Sequence, residues 1–383
     1  MTLRILAILA AAATLAGCGG TIVSTVFENV GETMSAAPGV SDAPRTPATS
    51  TWEPTGLGFD RDGNLVVTDC IGGHVYQLAA DGSATVIAGT GVSSTAGGLS
   101  GEGVPALEAD IHCPADAGAD ADGDLLVVDH ANNRIRAIGF DGLIDTIIGT
   151  GPIGTATDDG NLAGDGGPAL QATLQEPWAI AFGPGGLLYF ADRDNHAIRT
   201  VDAAGIIATI AGTGDRGFAG DGGLAIEAQL SRPQGIAVDA AGNIYIADSD
   251  NHVIRRVDTH GLITTFAGTG EAGNSGDGGP ATEAQINDPN GVALDAEGNL
   301  YFADDVAMVV RRVALDGTIS TVAGTGTAGS SGDGGPGTAA ALSSPIDIAF
   351  DADGNLYIAD SGNHRIRVLR PDGTVETFSV GLS

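Results

Sequence analysis

The chain has 383 residues and carries 48 Asp and Glu against 16 basic residues, all of them Arg, for a net charge of −32 at pH 7. That balance excludes nucleic acid and electrostatic docking on anionic lipid, since both need basic patches. The lack of Lys excludes a Walker-type phosphate loop and Schiff-base chemistry, and 4% aromatic residues exclude a broad stacking platform for sugars or bases.

Residues 1–17 hold one positive residue, Arg4, then the apolar run Ile5–Leu15, then small residues. This is the pattern of an export signal and is too short to span a membrane. Leu15-Ala16-Gly17-Cys18 resembles a bacterial lipobox, which implies cleavage before Cys18 and a lipid on its sulfur. Lipid chains then replace a spanning helix as the anchor. Gly19, where the enterobacterial retention signal has Asp, points to the outer membrane. Residues 18–51 read as a tether, rich over 31–51 in Pro, Ser, Thr and Ala. As a flexible chain it spans roughly 30–35 Å.

From residue 52 one unit recurs, clearest over Pro233–Gly268. It reads as four short strands of β-branched or apolar residues, each break carrying Gly, Asp or Asn. The second strand always closes on Asp: Asp69, Asp129, Asp192, Asp248, Asp304 and Asp360. A period near fifty residues with four strands per period predicts an all-β, six-bladed β-propeller of four antiparallel strands per blade, filling residues 52–383. The second strands are continuously apolar, as expected where both faces are buried between neighbouring blades. The fourth strands, with Thr264 and Thr265 or Ser320 and Thr321, suit the outermost position. The strand-like Gly20–Phe27 is expected either to remain in the tether or to pair onto the last blade beside or in place of Val375–Val380.

Between blades lies a second repeated piece, Gly276–Ile286, with copies starting at Gly164, Gly220 and Gly332 and a degraded one at Gly101. Pro280 followed by helix formers predicts one short helical turn with Pro at its first position. Ser275–Pro280 is superficially similar to the GDSGGP of chymotrypsin-like proteases, but the order is permuted, the piece recurs and no catalytic context accompanies it. A protease is rejected. Asp351-Ala-Asp-Gly-Asn355 has the opening of an EF-hand loop, but the twelfth residue is Gly362 rather than Glu. A hairpin turn accounts for it better than calcium.

The pattern Pro-x-Gly-Ile-Ala-Val-Asp, Gly-Asn-Ile-Tyr-Ile-Ala-Asp, Asn-His-x-Ile-Arg closely resembles NHL repeats. The variety with Gly-Asp-Gly-Gly-Pro inserts is similar to bacterial NHL proteins and to the NHL segment of teneurins. The resemblance covers the chain from residue 52 onward and implies a six-bladed propeller. It implies no single activity, since NHL members include protein-binding modules, RNA-binding modules, sensor domains and a metal-dependent amidating lyase.

The six repeats can be compared with one another. Constant positions, the Asp above and Arg136, Arg199, Arg255, Arg311 and Arg367, serve the fold: the Asp caps its own turn and pairs with the Arg. Varying positions are free to carry function. Those after each opening Pro lie at the mouth of the central channel: Thr55, Ala115, Trp178, Gln234, Asn290 and Ile346, with Asp116 and Asp347 replacing a neighbouring Gly. The loops beside them vary too, at His130, Arg193 with Asp194, Ser249 with Asp250, Asp305 and Ser361. Trp178, Gln234, Asn290, Asp116, Asp347, Arg193 and Asp250 form the candidate binding face for a protein, peptide or small ligand. His196, His252 and His364 are the minority candidates for a zinc site, read mainly as satisfied loop histidines. No cofactor is expected, with structural calcium or zinc as lesser alternatives.

Cys70 directly follows the constant Asp of blade 1 and Cys113 directly precedes the opening Pro of blade 2. Both positions belong to one face of adjacent blades, and in an oxidising envelope compartment they are expected to form a disulfide. The reading is an exported, lipid-anchored, monomeric binding scaffold with no assigned enzyme chemistry. A metal-dependent lyase or hydrolase working at the channel mouth is the alternative, and a purely structural envelope component the third option.

Overall fold

Runs of four to six apolar residues broken by Gly turns close into six antiparallel sheets. In the computed structural model, residues 52–91, 101–150 and 162–380 are described; the expected export signal, Cys18, the expected tether and Gly20–Phe27 lie outside them. Each sheet is one blade with its strands in sequence order. Blade 4 runs Pro233–Val238, Ile244–Asp248, Val253–Val257 and Ile263–Ala267. First strands of neighbouring blades touch around the ring and line its axis. The second strand of blade 4 is buried at all five positions, while its fourth strand exposes Thr264.

Burial on both faces of a strand puts the apolar core between blades. Tyr245, Ala247 and Ile254 of blade 4 pack against Val292, Leu300 and Phe302 of blade 5. The ring closes the same way, Leu57, Leu65, Val67 and Tyr76 of blade 1 meeting Ala359 and Ile366 of blade 6. At that junction the Trp52 indole N–H donates to the His364 carbonyl at 2.9 Å, and His364 Nδ1 lies 3.1 Å from the Trp52 carbonyl. The fourth strand of blade 6 is Thr374–Phe378, supplied by the C-terminal end of the ring.

Four strands per blade describes four of the sheets. In blades 2 and 6 a two-residue outer strand is added, Val104–Pro105 beside the fourth strand of blade 2 and Gly335–Pro336 beside that of blade 6. In blades 3 to 5 the same contact is a single bridge, such as Pro280 to Thr318. These residues come from the Gly-Asp-Gly-Gly-Pro inserts, each of which leaves one blade and wraps the outer edge of the next. The helical turn is a 3₁₀ turn over Ala281–Glu283, and Pro280 is the extended residue before it rather than its first member.

The insert is locked by charge. Arg255, fully buried, reaches Asp248 of its own blade at 3.4 Å and Asp221 of the insert at 2.7 Å. Arg199, Arg311 and Arg367 bind Asp165, Asp277 and Asp333 at 2.6–2.7 Å, and Glu102 stands in for that Asp beside Arg136 at 3.7 Å. A buried guanidinium cannot shed its proton, so carboxylates on both sides are what make its burial tolerable.

In blades 2, 3, 4 and 6 the constant Asp caps its own loop through the Asn three residues on, as Asn251 Nδ2 donates to Asp248 at 2.8 Å, and in blades 1 and 5 through the backbone N–H of Gly72 and Ala307. It also accepts a backbone N–H from the segment ahead of its blade: His112, Gln175, Ser231, Asn287 and Ser343 donate to Asp129, Asp192, Asp248, Asp304 and Asp360 at 2.7–3.0 Å. It thus ties the inter-blade connection to the second strand. The Asp of the EF-hand-like turn is likewise satisfied locally: Asp351 accepts the N–H groups of Asp353 and Asn355 at 3.0 and 2.9 Å.

Candidate functional site

The loop between second and third strands has one backbone design. In blades 2, 3, 4 and 6 it is a three-residue 3₁₀ turn ending on a left-handed residue: Asn133, His196, His252 or His364, with φ of 50–55°. The three histidines are therefore hinge residues of three separate loops. Each engages the backbone at its own junction: His196 Nδ1 accepts from Arg232 N–H at 3.1 Å, His252 Nδ1 lies 3.2 Å from the Asn287 carbonyl, and His364 Nδ1 meets Trp52. The structure does not bring them together.

At five of the six junctions the first loop residue joins its blade to the next, through a disulfide, an imidazole, a carboxylate or, twice, a serine hydroxyl. Cys70 forms a disulfide with Cys113, as the sequence leads one to expect. His130 Nδ1 lies 3.1 Å from the Pro177 carbonyl, Ser249 Oγ donates to Pro289 at 2.6 Å, and Ser361 Oγ donates to Pro54. Ser344 Oγ donates to Asp305 at 2.6 Å. Between blades 3 and 4 the second loop residue serves instead, Asp194 meeting Arg232 Nε at 3.2 Å. These contacts hold down a strained segment. Cys113, Glu176, Arg232 and Ser344, each just before an opening Pro, have φ of 47–50°, a left-handed conformation that costs a non-Gly residue about 1–3 kcal/mol.

At the axis, Trp178, Asn290, Asp116 and Asp347 converge with Thr55 and Ala115 around the narrow top of the channel. Trp178 of blade 3 donates its indole N–H to Asn290 Oδ1 of blade 5 at 3.2 Å. The ring is held from the side by the edge of His130 at 5.0 Å and from above by the Arg193 guanidinium at 5.1 Å. Arg193 in turn pairs with Glu176 at 2.8 Å. Burial pushes His130 down to about 4, so its ring is neutral against the indole. Gln234 is buried at the matching place on blade 4. Asp250 is held away from this group by Arg216 of the insert at 2.7 Å.

Below the indole a cavity of about 220 Å³ runs toward Phe59, Ala119 and Phe182 at the far ends of the first strands. Its walls are apolar, with Leu57, Ile180, Ile236, Val292 and Ile348, and its polar groups are Asp116 and Asp347. Asp116 accepts the Ile180 N–H of blade 3 at 2.9 Å, and Asp347 accepts the Leu57 N–H of blade 1 at 2.7 Å. Burial raises Asp116 to about 6; burial and then the charge of Asp116 hold Asp347 well above the carboxylate range. Carboxyl groups here strap first strands together, and their substitution for Gly is accommodated because Gly291 leaves room for the Asp347 side chain.

Sequence reasoning missed Glu176 and Asp288. Glu176 bridges Asn133 and Arg193, its N–H donating to Asn133 Oδ1 at 2.7 Å. Asp288 is raised to about 7 by burial and then by Asp305 and Asp250. Both stand just before an opening Pro, a position that reads Glu53, Cys113, Glu176, Arg232, Asp288 and Ser344 around the ring and so gave no repeat signal.

Residues 154–217, 213–275 and 269–331 match the family model of the teneurin NHL domain, and residues 342–369 match that of the NHL repeat. Teneurin-4 of Mus musculus is 33% identical over 252 residues, which is 59% of this chain and 9% of teneurin-4. NHL repeat-containing protein 2 of Homo sapiens is 30% identical over 278 residues, 64% of this chain and 37% of that protein. The chain thus spans about a tenth of the first and little over a third of the second. Virginiamycin B lyase from Staphylococcus aureus superposes with a TM-score of 0.53 over 89% of both chains at 16% identity, a likeness of fold.

Proposed function

The chain belongs to the NHL-repeat β-propellers, and from that premise we propose that it is an exported, lipid-anchored monomer whose loop face binds a protein, peptide or small ligand at the cell envelope. One observation carries the reading. The loops on this face share a frame in which the first residue secures the ring, or in blade 3 the second, Asp194, while elsewhere the second varies: Ile71, Ala131, Asp250, Val306 and Gly362. Ile71 and Val306 are about half exposed, at 54% and 53%, and Asp250 is partly exposed. A rigid ring carrying different side chains on equivalent loops suits recognition, because the ordering cost of the contact surface is already met by folding.

The lipobox-like Leu15–Cys18 supports the anchored form, with Cys18 as the lipidated residue. Labelled palmitate should enter the wild-type chain and be absent from Cys18→Ser. For the binding reading, a photo-cross-linking amino acid placed at Ile71, Val306 or Asp250 should yield a discrete adduct in cells. The same group at Asp353, on the opposite hairpins, should not. Equal labelling at both faces, or none at the loop face, would rule the reading out.

A further inference from the structure

The outer edge of blade 4 departs from its neighbours in side chains but not in backbone. The segment leading into blade 4 and the turn before its fourth strand carry Phe218, Leu224, Ile226 and Leu262, exposed at 48%, 44%, 54% and 40%. The equivalent residues are Asn274, Pro280, Thr282 and Thr318 on blade 5, and Ser330, Pro336, Thr338 and Thr374 on blade 6. Leu224 bridges Leu262 as Pro280 bridges Thr318, and a 3₁₀ turn follows in both. The fold therefore accepts polar residues or Pro at all four places, and blade 4 has large apolar groups instead. Leu170 and Leu107, at the place of Ile226 on blades 3 and 2, are exposed at 49% and 38%. Clustered exposed apolar groups of this kind mark an interaction surface.

Charge chooses the occupant. Asp215 and Glu227, on either side of Phe218 and Ile226 in sequence, are solvent-exposed, while the neighbouring cation, Arg216, is engaged by Asp250 at 2.7 Å. A second copy would bring another −32 charge against this rim, and anionic lipid would be repelled in the same way. We propose that the outer edge of blade 4 docks a polypeptide segment that combines apolar side chains with flanking Lys or Arg. The apolar groups cover Phe218, Leu224, Ile226 and Leu262, and the cations face the insert carboxylates, giving complementarity in shape chemistry and in field. The two readings rest on different residues, so they stand or fall separately.

The test uses the full chain and three labelled twelve-residue peptides of alternating Leu–Arg, Ser–Arg and Leu–Glu, measured by fluorescence anisotropy at physiological salt. The Leu–Arg peptide is expected to bind about tenfold or more tighter than Ser–Arg. In the variant with Phe218→Asn, Leu224→Pro, Ile226→Thr and Leu262→Thr that ratio should fall to about one, with the melting temperature retained because blade 5 carries the same four residues on the same backbone. If that variant does not fold, Ile226→Thr with Leu262→Thr alone should still lower the ratio severalfold. A preference that persists in the folded variants, or Leu–Glu binding as tight as Leu–Arg, overturns the proposal. So does a dimer broken by the variant, which would make a second copy the occupant.

Discussion

The indole N–H of Trp178 on blade 3 reaches over blade 4 to Asn290 Oδ1 on blade 5, at 3.2 Å. This contact covers the top of the channel and couples blades that share no strand edge. Truncating Trp178 to Ala would remove the ring that His130 and Arg193 pack on and leave Asn290 without its donor. We expect a loss of about 3–4 kcal/mol in urea unfolding, the lower half of the range for a large aromatic because the ring is only partly buried. Trp178→Phe keeps the packing and should lose about 1 kcal/mol. Equal stability of all three proteins would show that the indole is a free surface group.

The Cys70–Cys113 bridge closes a 43-residue separation at the junction of blades 1 and 2. Loop-closure arithmetic gives about 4 kcal/mol for a loop of that size. The double variant Cys70→Ser, Cys113→Ser should therefore unfold at markedly lower urea. A thiol count on denatured, unreduced protein should find neither Cys70 nor Cys113 free. Titration of both sulfurs as thiols would refute the bridge.

Much of this architecture is legible in the sequence because the repeat is its own alignment. Glycines such as Gly242 and Gly354, with φ of 93° and 80°, mark hairpins, and continuously apolar second strands mark burial between blades. What repeats cannot report is a contact made once. His130, Ser249, Ser361 and Asp305 occupy the same loop position and look like free variation, yet each secures a junction by its own chemistry. The Trp178–Asn290 pair is 112 residues apart and joins non-adjacent blades, so no local pattern encodes it. Tyr76 of blade 1 stands where the other blades have the buried Arg, and Trp52 packs edge-on against it at 6.0 Å. The second role of that Arg, gripping the insert, was equally hidden, because its partner Asp lies 34 residues upstream in a segment read as a connector.

Arg311 tests that grip. It is fully buried, with Nη2 on Asp277 at 2.6 Å and Nη1 on the Gln285 carbonyl at 2.8 Å. Removing Asp277 leaves the guanidinium with Asp304 as its remaining carboxylate and frees the insert from Thr321, whose N–H also binds Asp277 at 2.8 Å. Asp277→Ala should cost about 3 kcal/mol. It should also raise hydrogen exchange in residues 276–286 ahead of the rest of blade 5. Arg311→Met, which replaces the charge by an apolar chain of similar length, should cost less than Arg311→Ala. Equal costs for the two would mean that the charge, and not the filled volume, holds the insert.

The buried pair Asp116 and Asp347 fixes a direction for pH dependence. Asp116 is raised from 3.8 to about 6 by burial, and Asp347 is raised well above 3.8 by burial and then by the charge of Asp116. The folded chain therefore holds protons that the unfolded chain has already released, so this contribution to stability is full below pH 3.8 and is lost as pH rises through about 6. The amide of Asp116→Asn can still accept the Ile180 N–H but carries no charge to desolvate. This variant should match the wild type near pH 4 and exceed it by about 2–3 kcal/mol at pH 8, the free energy that corresponds to a rise of that size. Denaturant midpoints for both proteins across pH 4 to 8 measure the difference directly. A gap that stays constant with pH would mean that Asp116 is ionised in the folded ring throughout, with its charge balanced at the channel.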